Sequence, residues 1–158
     1  MSGAKPVRPR GGHSQYVTIR LGGQMFGLPI EKVQDVFIPD NFTPVPLARA
    51  QIAGVLNLRG RIVTMIDLAK ILGVDPVNRT IAERPAAGVL HANESYGLLT
   101  DSVGEVVTLA DAELEPNPIN LCAAWSDVSQ GTFKLEAELL VILDIDALIE
   151  DLLRKDAA

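Results

Sequence analysis

Near the start of the chain the apolar positions fall at every second residue. Val17, Ile19 and Leu21 alternate with Tyr16, Thr18 and Arg20, the period of a strand with a buried face. Gly22-Gly23 then separates this run from Gln24–Leu28, which predicts a β-hairpin closed by a two-residue turn. Pro29 opens a short segment predicted to make one helical turn before Val33, Val36 and Ile38, and prolines 39, 44 and 46 hold Asp40–Leu47 in a loop. Val55–Leu58 and Ile62–Ile66 are apolar runs of strand length on either side of Arg59-Gly60-Arg61. Gly60 accepts positive φ at little cost, so a second hairpin is predicted there. Asp67 stands where an N-cap belongs ahead of Leu68, Ile71 and Leu72, and Gly73 supplies the stop of a short helix.

The second half of the chain repeats this pattern. Phe26-Gly-Leu-Pro-Ile-Glu-Lys-Val-Gln-Asp-Val36 lies over Tyr96-Gly-Leu-Leu-Thr-Asp-Ser-Val-Gly-Glu-Val106 at an offset of 70, with Gly, Leu and both Val coincident. Gly54, Leu58 and Asp67 fall on Gly131, Leu135 and Asp144 at an offset of 77, and a short amphipathic segment follows each Asp. Two matching stretches in the same order indicate duplication of a β-rich unit of about 60 residues. A unit of that size buries little surface alone, so the two lobes are expected to share an apolar interface and fold together.

Composition narrows the class. The chain has 158 residues, 47% hydrophobic and 22% charged, which suits a folded domain rather than a disordered one. Its apolar stretches are broken by charges well short of the roughly 20 residues that span a bilayer. Lys5, Arg8 and Arg10 among prolines, with no apolar run behind them, are expected to form a loose basic tail in the cytoplasm. The single cysteine, Cys122, supports neither an intramolecular disulfide nor a zinc thiolate cluster, which suits a reducing compartment. Residues 85–133 carry seven acids and no Lys or Arg, within a net charge of −6. Such a surface repels a phosphate backbone, so no nucleic-acid partner is expected.

Motifs for chemistry are missing. His13 and His91 form no metal-ligand spacing, no Gly-x-Ser-x-Gly or phosphate-cradling glycine loop occurs, and Cys122 has no neighbouring base. No catalytic residue, metal or cofactor is therefore expected, and Cys122 reads as a small buried or loop residue. Asp67 and Asp144, the best placed carboxylates, read as helix caps before they read as an acid–base pair. Trp125 is expected to plug the core beneath the Ala110–Ala124 loop.

One difference between the repeats stands out. Arg59-Gly60-Arg61 in the first copy meets Glu136-Ala137-Glu138 in the second, a charge reversal at the same hairpin turn. An arginine on a rigid turn can make bidentate contacts with a partner's carboxylate or carbonyls. By charge alone a solvated turn arginine is the slightly commoner meaning.

The run Ile52-Ala-Gly-Val-Leu-Asn-Leu-Arg-Gly-Arg-Ile-Val-Thr-Met-Ile-Asp-Leu68 resembles the signature of the CheW-like family. The resemblance extends from Gln15 to about Leu152, through Phe26-Gly-Leu, Lys32-Val-Gln-Asp, Tyr96-Gly-Leu-Leu-Thr-Asp-Ser-Val and Leu139-Leu-Val-Ile-Leu-Asp144. It implies an all-β fold with short helices: two SH3-like five-stranded β-barrels packed around a shared hydrophobic core. The corresponding division is a flexible basic tail over 1–14, a CheW-like domain over 15–152 and a C-terminal tail over 153–158. Lobe one covers about 15–80 and lobe two about 81–152, with exchange of strands between them left open.

By the same resemblance the chain is an adaptor that couples transmembrane chemoreceptors to the histidine kinase CheA, is not an enzyme and needs no cofactor. Its partners would be the regulatory domain of CheA and the cytoplasmic signalling tip of methyl-accepting chemoreceptors, met in the cytoplasm at membrane-associated arrays without membrane insertion. Receptor contact is carried over to Val33, Asp35, Val36, Val55, Leu56, Arg59 and Val103 in a groove between the lobes, while the kinase surface is not localised. The same adaptor role in a pilus-motility or other chemosensory pathway is the alternative. A small acidic β-barrel hydrolase using acids of 94–127 is the alternative of a different class. The sequence departs from the family pattern in two places: Asp35 stands for Glu, and Glu136-Ala137 for an Asp-Gly-like turn. The second bears on turn geometry, because Ala tolerates positive φ less well than Gly.

Overall fold

The computed structural model describes residues 12–39, 43–45, 50–77, 83–119 and 121–157, with side chains described as far as Arg154. Ten strands and three α-helices lie within them: β1 (His13–Leu21), β2 (Gln24–Pro29), β3 (Val33–Phe37), β4 (Ile52–Leu58), β5 (Arg61–Asp67), α1 (Leu68–Leu72), β6 (Ala86–His91), β7 (Glu94–Leu99), β8 (Ser102–Ala110), α2 (Ala123–Ser126), β9 (Ser129–Lys134), β10 (Leu139–Leu143) and α3 (Ile145–Ala157). The opening hairpin turns through Gly22 and Gly23 with φ of 60° and 84°, a geometry only glycine takes without strain. The helical turn after Pro29 covers Ile30–Lys32. Much of the Asp40–Leu47 loop lies outside the described residues, as does most of the basic tail. α3 runs through the segment expected as a tail, because Leu148, Ile149 and Leu152 continue its buried face.

The two five-stranded sheets do not divide the chain near residue 80. Their orders are β8-β1-β2-β10-β9 and β3-β6-β7-β5-β4, so each takes one hairpin from one half of the chain and three strands from the other. Here they are termed barrel one and barrel two. The exchange is reciprocal, and each order becomes the other when repeat-equivalent strands are substituted. Parallel pairs β2–β10 and β5–β7 make the joins, and all other ladders are antiparallel.

Equivalence extends to single hydrogen bonds. Asp67 N–H donates to the Gln51 carbonyl at 2.7 Å, and Asp144 N–H to the Val128 carbonyl at 2.7 Å. The isolated bridges Thr43–Val55 and Glu115–Thr132 match in the same way. A Cβ on Gly27 would stand 2.7 Å from Ile142 Cδ1, and one on Gly97 would stand 2.8 Å from Met65 Sδ. The glycines of the repeated Gly-Leu motif are therefore the sites where a strand passes beneath a large core side chain.

Because β1 and β2 are covered on both faces, their residues are buried almost continuously. One face supplies Val17, Ile19, Leu21, Phe26 and Leu28 to a core shared with Ile66, Leu98, Val141 and the helices α1 and α3. Barrel one keeps a smaller interior of Tyr16, Phe133, Leu140 and Ile142, and barrel two one of Leu56, Val63, Met65, Ala86 and Leu99. Trp125 is half-buried against the shared core: its Nε1–H donates to the Leu72 carbonyl at 2.7 Å and its ring meets Phe26 edge-on at 5.2 Å. Among the described residues no helix is long and apolar enough to cross a membrane.

Candidate functional site

The Arg59-Gly60 turn joins β4 to β5 with both φ angles positive, 54° and 83°, the signature of the type I′ turn that suits a twisted two-residue hairpin. Asn57 Oδ1 accepts the Gly60 N–H at 2.9 Å and braces the turn from the preceding strand. Arg59 occupies a conformation that L-residues seldom adopt, and its side chain projects outward, 78% exposed. Its guanidinium lies 3.9 Å from the Asp35 carboxylate, which is itself only 23% exposed. That separation is an ion pair but not a hydrogen bond, so the N–H donors of the guanidinium stay available.

Asp35 comes from β3, opposite Gly88 of β6, where a register shift between Val33 and Asp35 bends the strand. A Cβ at residue 88 would collide with the Asp35 carboxylate, so Gly88 makes the space in which the acid sits. Val36, next along β3, points the other way and is 47% exposed. Ile62, on the far side of the turn, is 64% exposed. The arrangement is a cation on a stiff turn, an acid behind it and exposed apolar side chains on the neighbouring strands.

The seven candidate residues do not form one continuous surface. Asp35 and Arg59 lie together at the end of barrel two, while Val36 stands on the opposite face of β3. Val55 is half-buried on β4, and its backbone is tied to Thr43 by bonds of 2.7 and 2.9 Å. Leu56 is 4% exposed within the interior of barrel two, so its side chain offers nothing to a partner. Val33 and Val103 are repeat-equivalent, one in each barrel, and both are partly buried against the shared core. Ile62 and Val106 are exposed apolar residues that the sequence analysis does not single out. Val106 is the repeat mate of Val36 and is equally exposed at 47%, so carrying Val36 across the offset finds it.

Other candidate groups are occupied structurally. Asp67 precedes α1 but makes no side-chain cap bond; its carboxylate instead meets the buried Arg84 at 3.3 Å. Asp144 does cap, accepting the Ala147 N–H at 3.1 Å. His91 Nδ1 lies 2.8 Å from Asp146, and its Nε2 faces Glu150 at 3.6 Å. Among the described residues no cluster of three His, Cys, Asp or Glu is placed to hold a metal ion. Cys122 is exposed at the residue before α2. The β9–β10 connection is a four-residue loop, Leu135–Glu138, closed by Leu135 N–H to the Glu138 carbonyl at 2.9 Å, and Ala137 is spared positive φ.

Fold and site together define a duplicated, strand-exchanged double β-barrel that presents an exposed arginine on a braced turn, with exposed apolar residues on the same barrel, the makings of a protein-docking module. Residues 15–153 match the family model described as the CheW-like domain, and the chain belongs to that family. It is 28% identical over 145 residues to the chemotaxis protein CheW of Thermotoga maritima, covering 90% of this chain and 91% of that one. The chemotaxis protein CheW of Klebsiella aerogenes is 28% identical over 136 residues, 85% and 81% of the two chains. The crystal structure of the scaffolding protein TtCheW from Thermoanaerobacter tengcongensis superimposes with a TM-score of 0.77 at 26% identity, covering 88% of this chain and 94% of that one.

Proposed function

We propose that this chain is a chemotaxis adaptor that couples chemoreceptors to the histidine kinase CheA by binding both, with no bond made or broken. Family membership supports the adaptor role, since relatives over most of the chain are named chemotaxis protein CheW and a structural neighbour is a scaffolding protein. The observation that carries the receptor contact is Arg59: exposed, carried on a braced I′ turn and 3.9 Å from Asp35, beyond hydrogen-bond reach. Fixing the base of an arginine lowers the entropy lost when its donors engage a partner's carboxylate or carbonyls. Val36 on β3 and Ile62 on β5 are exposed apolar residues of the same barrel. The partners in this reading are the cytoplasmic signalling tip of a methyl-accepting receptor and the regulatory domain of CheA, assembled at membrane-associated arrays from the cytoplasmic side.

Coupling in such an assembly is a free energy, typically about 1–3 kcal/mol, that arises when kinase states bind the scaffold and receptor unequally. The test is co-sedimentation of the purified chain with a receptor signalling fragment and CheA. The native chain is expected to bring kinase down with receptor, and Arg59→Ala to weaken receptor association while remaining folded. Equal association of native and variant chains would remove Arg59 from the site, and failure of the native chain to associate with either protein would remove the adaptor reading.

A further inference from the structure

The two barrels end differently at repeat-equivalent mouths. In barrel two, Phe37 of β3 lies over Gly88 and Gly97, its ring atoms 3.4 and 3.0 Å from where their Cβ atoms would stand. With Asp35 and Arg61 it fills the mouth, leaving no space that would admit a water molecule. In barrel one the matching residues are Val107 for Phe37, Thr18 for Gly88, Glu105 for Asp35 and Glu138 for Arg61. Aromatic bulk enters this barrel from Tyr16, where barrel two has Ala86, and that ring is buried against Phe133 at 5.6 Å. The mouth is left as a solvent-open cleft of about 250 Å³, floored by Met25, Val107 and Leu135 and edged by Arg20 and Glu105.

The edge of this cleft is acidic. Arg20 is spent on Glu138, whose two carboxylate oxygens its guanidinium meets at 3.1 and 2.6 Å. Glu105 on β8, the carboxylate that lines the cleft, is exposed, and no described cation meets it. An apolar floor beneath the uncompensated Glu105 carboxylate suits a ligand that is apolar at its tip and cationic beside it.

We propose that the mouth of barrel one is a docking site for a partner's peptide segment presenting an aromatic side chain next to an arginine or lysine. Barrel two supplies the template, since there the chain's own Phe37 fills the equivalent space and Arg59 stands 3.9 Å from Asp35, the counterpart of Glu105. An incoming ring takes the place that Phe37 takes in barrel two, and the adjoining cation meets Glu105. This surface lies on the barrel opposite to Arg59, so the inference goes beyond the coupling reading and does not rest on it.

The test is an NMR titration of the isotope-labelled full chain with three probes: N-acetyl-Phe-Arg-amide, N-acetyl-Phe-Glu-amide and N-acetyl-Ala-Arg-amide. Saturable shifts are expected at the amides of Thr18, Arg20, Ser102, Glu105 and Leu135 with the Phe-Arg probe, and binding about tenfold weaker with the other two. Val107→Phe, which builds the plug of barrel two into barrel one, is expected to lose about tenfold in affinity for the Phe-Arg probe. Glu105→Lys changes an exposed strand residue, so it carries the test if the first variant does not fold, and it is expected to shift the preference to Phe-Glu. Arg59→Ala is expected to bind the Phe-Arg probe as the native chain does, which separates this site from the receptor contact. No saturable shift at these amides, equal affinity for Phe-Arg and Phe-Glu, or an unchanged preference in Glu105→Lys would each overturn the proposal.

Discussion

The carboxylate of Asp67 lies 3.3 Å from the guanidinium of Arg84, and the two side chains are closed to solvent at 8% and 2% exposure. Arg84 also donates from Nε to the Thr100 carbonyl at 3.3 Å, so the pair ties the end of β5 to the segment between β7 and β8. Asp144 occupies the equivalent place in the other repeat and caps its helix instead. One motif, an aspartate followed by a helix, thus performs two different tasks. Asp67→Ala strands a buried cation and is expected to cost about 3–5 kcal/mol. Asp144→Ala loses a cap and is expected to cost about 1 kcal/mol. Urea denaturation midpoints compare the two variants directly, and equal losses would contradict the assignment.

The duplication is legible because the positions that carry it are packing constraints. Gly27 and Gly97 must lack a side chain beneath Ile142 and Met65, so Gly-Leu survives in both halves. The exchange of strands is not legible. Alternation records that β1 has a buried face, but not that its neighbours are β2 and β8, because β3 offers a similar pattern. In the site, Arg59 is readable from the charge reversal at a turn, whereas Ile62 reads as core because it opens an apolar run. Leu56 shows an unused signal: adjacent residues of a strand face opposite ways, so Val55 and Leu56 could not both line one surface. Nothing local to Asp67 foretells Arg84, which arrives from the other half of the chain.

Arg59 and Leu56 are expected to separate surface from core. Arg59 is 78% exposed and its ion pair is long, so Arg59→Ala is expected to change stability by no more than about 0.5 kcal/mol while weakening receptor association. Leu56→Ala opens a cavity beside Met65 and Val63 and is expected to cost about 2–5 kcal/mol. Thermal unfolding measured beside co-sedimentation distinguishes them: a stability loss in Arg59→Ala comparable to that of Leu56→Ala would place the arginine in the fold rather than the interface.

Two glycines with positive φ are expected to respond unequally to alanine. Gly60 has φ of 83° and open space where a Cβ would stand, so Gly60→Ala adds backbone strain alone, about 1 kcal/mol. Gly131 has φ of 145°, and its Cβ would stand 2.6 Å from the Glu115 carbonyl oxygen, a backbone atom held by the Glu115–Thr132 bridge. Relief there requires breaking the bridge, so Gly131→Ala is expected to cost more, about 2–4 kcal/mol. Denaturation midpoints for the two variants check the order, which a larger loss in Gly60→Ala would reverse.

Asp146 at the start of α3 gives the stability a pH dependence of definite sign. Burial pushes its pKa up, but hydrogen bonds from Lys32 and His91, together with their charges, outweigh that and hold it below the usual aspartate value. Lys32 Nζ lies 2.6 Å from Oδ2 and His91 Nδ1 2.8 Å from Oδ1, joining the segment after β2 and the end of β6 to the helix. A folded-state pKa below the unfolded value of about 3.9 means that the unfolded chain takes up the proton first on acidification. The contribution of Asp146 is therefore complete above about pH 5 and is lost as pH falls through the folded-state value. The side chain is 42% exposed, so solvent and salt screen the effect and keep it modest. Asp146→Asn is expected to lower the urea midpoint most at neutral pH, with the gap to the native chain closing towards about pH 2 and narrowing in high salt. A gap that widens on acidification would show that the carboxylate, rather than its protonated form, is the destabilising species.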